Sequence, residues 1–179
     1  IGYNPLNRFS KEHIVPTEMD TVFRKQLIHG HVHDQGAAML GGVSGHAGLF
    51  SNAFDLAAIM QMLLNGGTYN GHRFLQDSTI AYFTKTHRAE NRRGLGFDKP
   101  VLERDGSGPT CAEASPRTFG HTGFTGTGVW ADPEYQIIYV FLSNRVHPHA
   151  GNKKLIYGNY RTDIQQQIYL LTKDYEPIP

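Results

Sequence analysis

Three strand-like runs follow one another near the end of the chain, and they constrain the fold more than any other feature. The runs cover residues 117–124, 128–131 and 136–143, and Asp132-Pro133-Glu134 forms a turn between the last two. Strand formers bounded by turn residues at this short spacing leave room only for tight connections. Tight connections join neighbouring strands that run antiparallel. The sequence therefore predicts an antiparallel meander.

Helical patterns lie on both sides of these strands in the sequence. Ser51 is predicted to cap a helix with an apolar face before Gly66-Gly67 ends it, the face being formed by Leu56, Ile59, Met60, Leu63 and Leu64. A terminal helix over residues 160–171 is expected to cover the sheet. Helices, then a meander, then a last helix indicate an α+β fold and not alternating βαβ units.

Shorter patterns occur in the first half of the chain. Apolar residues from Val22 to Leu27 predict a brief helix, and the glycines of residues 41–48 predict a tight loop, because each glycine costs a helix interior about 1 kcal/mol. Asn70-Gly71 predicts a small hairpin, followed by a short helix that Asp77 or Ser78 would cap.

Length and charge limit the classes of function. With 179 residues the chain fits a single domain, with a helical and loop region over 1–116 and the terminal strands and helix over 117–179. The formal net charge is +1 and the charges are scattered, so we expect no nucleic-acid partner. No apolar run approaches the roughly 20 residues that cross a bilayer, and we expect no membrane insertion.

The run His29-Gly30-His31-Val32-His33-Asp34 first suggests a metal site, because alternating histidines on a strand face one way. The sequence departs from the zinc-hydrolase pattern H-x-H-x-D-H, because His33 stands where the pattern has Asp and Asp34 stands where it has the last His. The one cysteine, Cys111, allows neither an internal disulfide nor a cysteine-based metal site. We therefore expect no metal and no cofactor. A metal-dependent hydrolase that uses these three histidines stays open as an alternative function.

Ser44 is a candidate nucleophile by local pattern only. Gly42-Val43-Ser44-Gly45-His46 is similar to G-x-S-x-G, but histidine stands where the second glycine should be. The hydrophobic strand that a nucleophile elbow requires does not precede it. A glycine-rich structural loop is the preferred interpretation.

The stretch from Phe119 to Gly128 carries the strongest signal of a site. It places small residues, hydroxyls and a histidine inside strand-like sequence, and small residues let a ligand lie against the backbone. Such an edge can donate N–H groups to an acyl oxygen, while Thr122 hydrogen-bonds a carboxylate and His121 handles a proton. The alternative is a glycine-rich hairpin with a hydrogen-bonded histidine.

These residues resemble a known family. His121-Thr122-Gly123 is similar to the Lys-Thr-Gly element of class C β-lactamases, penicillin-binding proteins and related esterases, in which histidine is a known variant. Residues 142–148 resemble the segment that follows the next strands, and the loop-plus-helix region over residues 40–67 matches in the same order. The resemblance runs from Tyr3 to Leu171.

The resemblance implies a serine hydrolase of the β-lactamase-like superfamily that works through an acyl-enzyme. The family uses a Ser-x-x-Lys nucleophile, a Tyr-x-Asn element and the strand motif around one cleft. Carried over, His121 becomes a catalytic proton-handling group and the backbone N–H of Phe124 an oxyanion donor. Substrate-binding roles then fall to four residues, Thr122, Gly123, Asn144 and Arg145.

The chain departs from the family where the nucleophile should be. None of its serines is followed at the third position by lysine, and Tyr157-Gly158-Asn159 falls after the strand motif, not before it. We expect the nucleophile to lie before Ile1, and the chain to be an incomplete β-lactamase-like domain that is inactive alone. Either the missing segment associates in trans, or the fragment rearranges or self-associates.

Further expectations concern the substrate, the cellular location and an alternative class of function. The resemblance implies a small amide or ester, or a cell-wall peptide, as substrate, and a bacterial periplasm or cell envelope as the site of action. A different class of function stays open: a degenerate, non-catalytic module that binds the cell wall or a glycan.

Overall fold

The computed structural model describes residues 1–101 and 108–173 and has α+β architecture, as predicted. The helices are α1 (Gln35–Met39), α2 (Ala53–Leu64), α3 (Asp77–Thr84), α4 (Lys154–Tyr157) and α5 (Tyr160–Lys173). The strands are β1 (Met19–Asp20), β2 (Gln26–Leu27), β3 (Thr68–Tyr69), β4 (His72–Arg73), β5 (Phe119–Thr122), β6 (Gly128–Asp132) and β7 (Ile137–Phe141). Two short 3-10 turns, Pro5–Asn7 and Lys11–His13, come before them.

The predicted meander is confirmed by the three-stranded antiparallel sheet β5-β6-β7. Phe119 pairs with Ala131, and Ala131 in turn pairs with Ile138, so these three side chains share one face. Met60 of α2 packs there. Ile137 lies on the opposite face against Tyr169 of α5. The sheet is therefore covered by one long helix on each side, which keeps its strands fixed relative to the loops at their ends.

The hairpin at Asn70-Gly71 is also confirmed. β3 and β4 pair across it, and both turn residues have positive φ, 48° and 76°. This is the combination that a two-residue hairpin turn needs.

The brief helix predicted over residues 22–27 is wrong. The segment forms the small hairpin β1-β2 instead, because the Asp20 carboxylate accepts hydrogen bonds from the backbone N–H groups of Val22, Phe23 and Arg24. A side chain that satisfies three successive amides holds a turn in place of a helix.

The capping predictions for the helices need correction by one residue. Asn52, not Ser51, caps α2, and its side-chain oxygen accepts from the N–H of Asp55. Gln76 precedes α3 and makes no side-chain cap, whereas Asp77 and Ser78 lie inside that helix. The sequence therefore locates the start of each helix to within one residue but does not identify the residue at the N-cap position.

Candidate functional site

A cleft of about 1680 Å³ opens at the end of β5. Its walls come from the turn after β5, the loop after β7, the glycine-rich loop before α2 and the N-terminal segment around residues 13–36. The volume exceeds the several hundred to about 1,000 Å³ of an ordinary ligand pocket. The cleft therefore has room for more than a small molecule.

The strand motif lies on this cleft. His121, Gly123 and Phe124 line it, whereas Thr122 is half-buried in the sheet opposite Gly128. The His121 ring nitrogen Nδ1 lies 2.7 Å from the carbonyl oxygen of Thr122. Because a carbonyl only accepts, Nδ1 carries a proton in this arrangement. Nε2 is then the nitrogen left to exchange a proton with a ligand.

The turn between β5 and β6 is held by the loop after β7. The Ser143 hydroxyl donates to the carbonyl of Gly126 at 2.7 Å, and the backbone N–H of Arg145 donates to Thr125 at 3.0 Å. Gly126 has φ 112°, and a Cβ there would lie 2.5 Å from the Ser143 hydroxyl. Only glycine fits this position, so the backbone beside Phe124 is fixed.

The Phe124 ring contacts two side chains from distant parts of the sequence. His33 stacks on it with ring centroids 5.5 Å apart, and the Arg145 guanidinium lies 4.5 Å from its centroid. His33 in turn pairs with Glu18 at 2.8 Å, and Glu18 accepts from the N–H of Ala150. The N-terminal wall of the cleft is thereby tied to the strand motif.

Asn144 and Arg145, predicted as substrate-binding residues, occupy different places. Asn144 lines the cleft, and its side-chain amide donates to the carbonyl of Pro16. Arg145 is buried and donates to the carbonyls of Ala150 and Asn152 at 3.0 and 3.2 Å. The structure thus brings His121, Gly123, Phe124 and Asn144 to the cleft, while the guanidinium of Arg145 braces the wall behind it.

The histidine run has separate hydrogen-bond partners. His29 bonds the carbonyl of Ile14 at 2.6 Å, His33 bonds Glu18, and His31 is exposed. Within residues 1–101 and 108–173, no three or more His, Cys, Asp or Glu side chains are grouped so as to hold a metal ion. Asp34, at the end of the run, caps α1 by accepting from the N–H of Ala37 at 2.7 Å.

The pairing of Asp34 with His46 at the cleft was not predicted from the sequence, in which Asp34 belonged to the histidine run and His46 to the departure from G-x-S-x-G. His46 Nε2 lies 3.0 Å from the Asp34 carboxylate, and its Nδ1 lies 2.8 Å from the hydroxyl of Ser44. Both Asp34 and His46 line the cleft. The hydrogen bond to the Ala37 N–H, and then the bond to His46, hold the pKa of Asp34 below its usual value. The one available signal was His46 itself, which counted against the G-x-S-x-G pattern.

A family model described as Beta-lactamase matches residues 8–160. Proteins named putative D-alanyl-D-alanine carboxypeptidase from Salmonella gallinarum, Salmonella newport and Salmonella dublin are each 40% identical over 166 residues. The match covers 86% of this chain and 38% of each relative. The chain thus spans well under half the length of the curated relatives that it matches.

No helix in the described part of the chain is both long and apolar enough to cross a membrane.

Proposed function

Because the chain belongs to the β-lactamase family, we propose that it forms the substrate-side wall of a serine hydrolase that works through an acyl-enzyme. The observation that carries this proposal is the fixed turn at His121, Gly123 and Phe124 on the edge of the cleft. A rigid turn with its backbone exposed to a cleft is suited to hold a developing oxyanion.

The roles of the individual residues follow from their placement. The backbone N–H of Phe124 donates to no acceptor within the described residues, so it is available to the oxygen of a tetrahedral intermediate. His121 exchanges a proton through Nε2. Gly123 lets the substrate lie along the backbone, and Asn144 provides a polar contact to it. Thr122, paired with Gly128 in the sheet, holds the strand motif in place beside the cleft. Arg145 supports Phe124 from behind.

The nucleophile and its activating partners come, in this proposal, from a segment outside these 179 residues. No Ser-x-x-Lys occurs in the chain, and the relatives are much longer than the region matched. The cleft is larger than one ligand needs. In this proposal the chain is the C-terminal part of one domain, with residues 1–116 and 117–179 as its two regions. Without the segment that carries the nucleophile, the chain does not react with penicillin.

We propose a cell-wall peptide as the substrate, with small amides and esters as further members of the class. The relatives' printed name refers to D-alanyl-D-alanine carboxypeptidases, and such a substrate places the longer protein in the cell envelope. A peptide amide gives the cleft both a carbonyl for the Phe124 N–H and a leaving amine for a proton donor.

The test compares the longer protein with the isolated chain. Intact mass is measured before and after exposure to benzylpenicillin. The expected result is one penicilloyl adduct on the longer protein, mapped to a Ser-x-x-Lys serine, and none on residues 1–179. If neither protein is acylated while the longer one still binds cell-wall fragments, the hydrolase proposal fails and the binding module becomes the better explanation.

A further inference from the structure

Ser44, His46 and Asp34 form a hydrogen-bonded chain at the rim of the cleft, and the proposed function makes no use of it. The distances are 2.8 Å from the Ser44 hydroxyl to His46 Nδ1 and 3.0 Å from His46 Nε2 to Asp34. A hydroxyl within reach of a base, with the base oriented by a third group, is the arrangement that activates a nucleophile.

The direction of the hydrogen bonds follows from the acceptor at one end. Asp34 is held by the N–H of Ala37 at 2.7 Å and by His46, and its pKa lies below the usual value for these two causes in that order. As a carboxylate it can only accept, so His46 Nε2 carries the proton. In the neutral ring Nδ1 is then the base, and the Ser44 hydroxyl donates to it. Either ring nitrogen can serve as the base when the other is protonated.

The loop that carries Ser44 is fixed at both ends. The backbone N–H of Gly42, which has φ 84°, donates to the carbonyl of Ala37 at 2.8 Å. Gly48, with φ 109°, lies so close to the carbonyl of Gly42 that no Cβ would fit. The hydroxyl of Tyr3 donates to the Ser44 carbonyl at 3.3 Å. These contacts hold the backbone that carries Ser44 and His46, and Asp34 is held separately by the N–H of Ala37.

Donors for an oxyanion lie beside the hydroxyl in sequence. Within the described residues, the backbone N–H groups of Gly45 and His46 donate to no acceptor. Backbone N–H groups next to a nucleophile are the usual donors to the oxygen of a tetrahedral intermediate. The side chains of His46 and Asp34 are 60% and 43% exposed, so small reagents can reach the loop from solvent.

We propose that Ser44 is a nucleophile in its own right, activated by His46 and oriented by Asp34, that reacts with small activated esters. Its oxygen bonds to the carbonyl carbon while its proton passes to His46 Nδ1. The bond from that carbon to the leaving oxygen then breaks, and His46 returns the proton to that oxygen. Water, deprotonated by His46, cleaves the acyl-Ser44 ester, releases the carboxylic acid and restores the hydroxyl.

This reaction needs no upstream Ser-x-x-Lys. We therefore expect the isolated chain to react with small activated esters through Ser44. It should still fail to react with penicillins and cell-wall peptides, because their recognition requires the complete cleft. Ser44 reactivity and the proposed acyl-enzyme of the longer protein are separate chemistries on separate serines.

The test uses the chain of residues 1–179 with diisopropyl fluorophosphate, which loses fluoride as its phosphorus bonds to serine, and with p-nitrophenyl acetate. We expect one phosphoryl adduct, mapped to Ser44 and absent from Ser44→Ala. His46→Ala and His46→Gln should both slow labelling and ester hydrolysis by about a hundredfold, since a general base contributes about that much or more. Asp34→Asn keeps an oxygen for the α1 cap and should give a smaller loss.

Ser51→Ala is the matched control. Ser51 lies on the cleft that His46 and Asp34 line, is exposed, and its hydroxyl donates to the carbonyl of Asn52, so its loss should leave both rates unchanged. Far-UV circular dichroism and a thermal melt establish that each variant is folded. An unlabelled Ser44 in the folded chain, or labelling at an equal rate in a folded His46 variant, would overturn the proposal. Neither result would alter the penicillin experiment, which reads a different serine.

Discussion

At the residue scale, Asp132 joins the sheet to the terminal helix. Its carboxylate is buried at the end of β6 and accepts from the Ser115 hydroxyl at 2.7 Å, the Ser115 N–H at 2.8 Å and the Tyr169 hydroxyl at 2.7 Å. Burial alone would raise the pKa of Asp132, but these hydrogen bonds outweigh it and hold the pKa below its usual value. Burial and the bond to this carboxylate together raise the pKa of Tyr169.

Asp132→Asn should therefore lower the free energy of unfolding by about 2–3 kcal/mol at neutral pH, because it replaces a charged acceptor in a buried network. A carboxyl group whose pKa is depressed by folding stabilises the protein above its unfolded pKa, and this contribution is lost as the pH falls toward the folded value. The wild type should thus lose more stability on acidification than the variant. Urea unfolding across a pH series measures both effects.

Glu134→Gln is the control for this prediction, because Glu134 is exposed in the adjacent turn. It should leave the unfolding free energy within about 0.5 kcal/mol of the wild type. Equal stability of Asp132→Asn and the wild type at neutral pH would contradict the assigned role of the network.

At the element scale, the turn between β5 and β6 connects the fold to the site. Its strands are fixed by sheet pairing, and its backbone is fixed by Ser143 and Arg145 from the loop after β7. The position of the Phe124 N–H therefore depends on an element that lies about twenty residues further along the chain.

Gly126→Ala tests this dependence. The added methyl group would collide with the Ser143 hydroxyl at a positive φ that alanine disfavours, so we expect a loss of about 1–3 kcal/mol. Faster amide hydrogen exchange in the turn should accompany it. Gly151→Ala is the matched control, since its φ lies outside the left-handed region and nothing lies within 4 Å of the position that its methyl group would take. A turn that stays as protected as in the wild type would contradict the assignment.

At the scale of the whole molecule, a large share of apolar surface is left exposed. Phe54, Tyr157 and Leu171 are 87%, 81% and 74% exposed. Among the described residues, the strand β7 pairs only with β6. Exposed apolar surface and an open strand edge both favour association with another polypeptide.

We therefore expect the isolated chain to self-associate, with a mass that rises with concentration in sedimentation velocity experiments. A longer protein that includes the proposed upstream segment should stay at one mass over the same range, because in that proposal the segment covers this surface. An isolated chain that remains monomeric throughout would show that the exposed surface is tolerated as it stands.

Elements whose cause is local could be predicted from the amino-acid sequence. Alternating strand formers, the Asn70-Gly71 turn and the spacing of apolar residues in α2 and α5 act over a few residues, so the meander, the hairpin and the two long helices were predictable. The family, too, could be identified from His121-Thr122-Gly123 and its neighbouring motifs. The hairpin β1-β2 was not predictable from periodicity, because the Asp20 side chain overrides the helical pattern.

Contacts between side chains that are distant in the sequence became known from the folded chain. His33 reaches Phe124 across 91 positions, Asn144 reaches Pro16 across 128, and His46 reaches Asp34 across 12. Such contacts depend on how the loops pack around the sheet, and local sequence preferences carry no information about that packing. In the sequence, His46 counted against Ser44 as a nucleophile because it stands where G-x-S-x-G has glycine. In the fold, the His46 ring hydrogen-bonds Ser44 on one side and Asp34 on the other, because backbone contacts fix the loop that carries it.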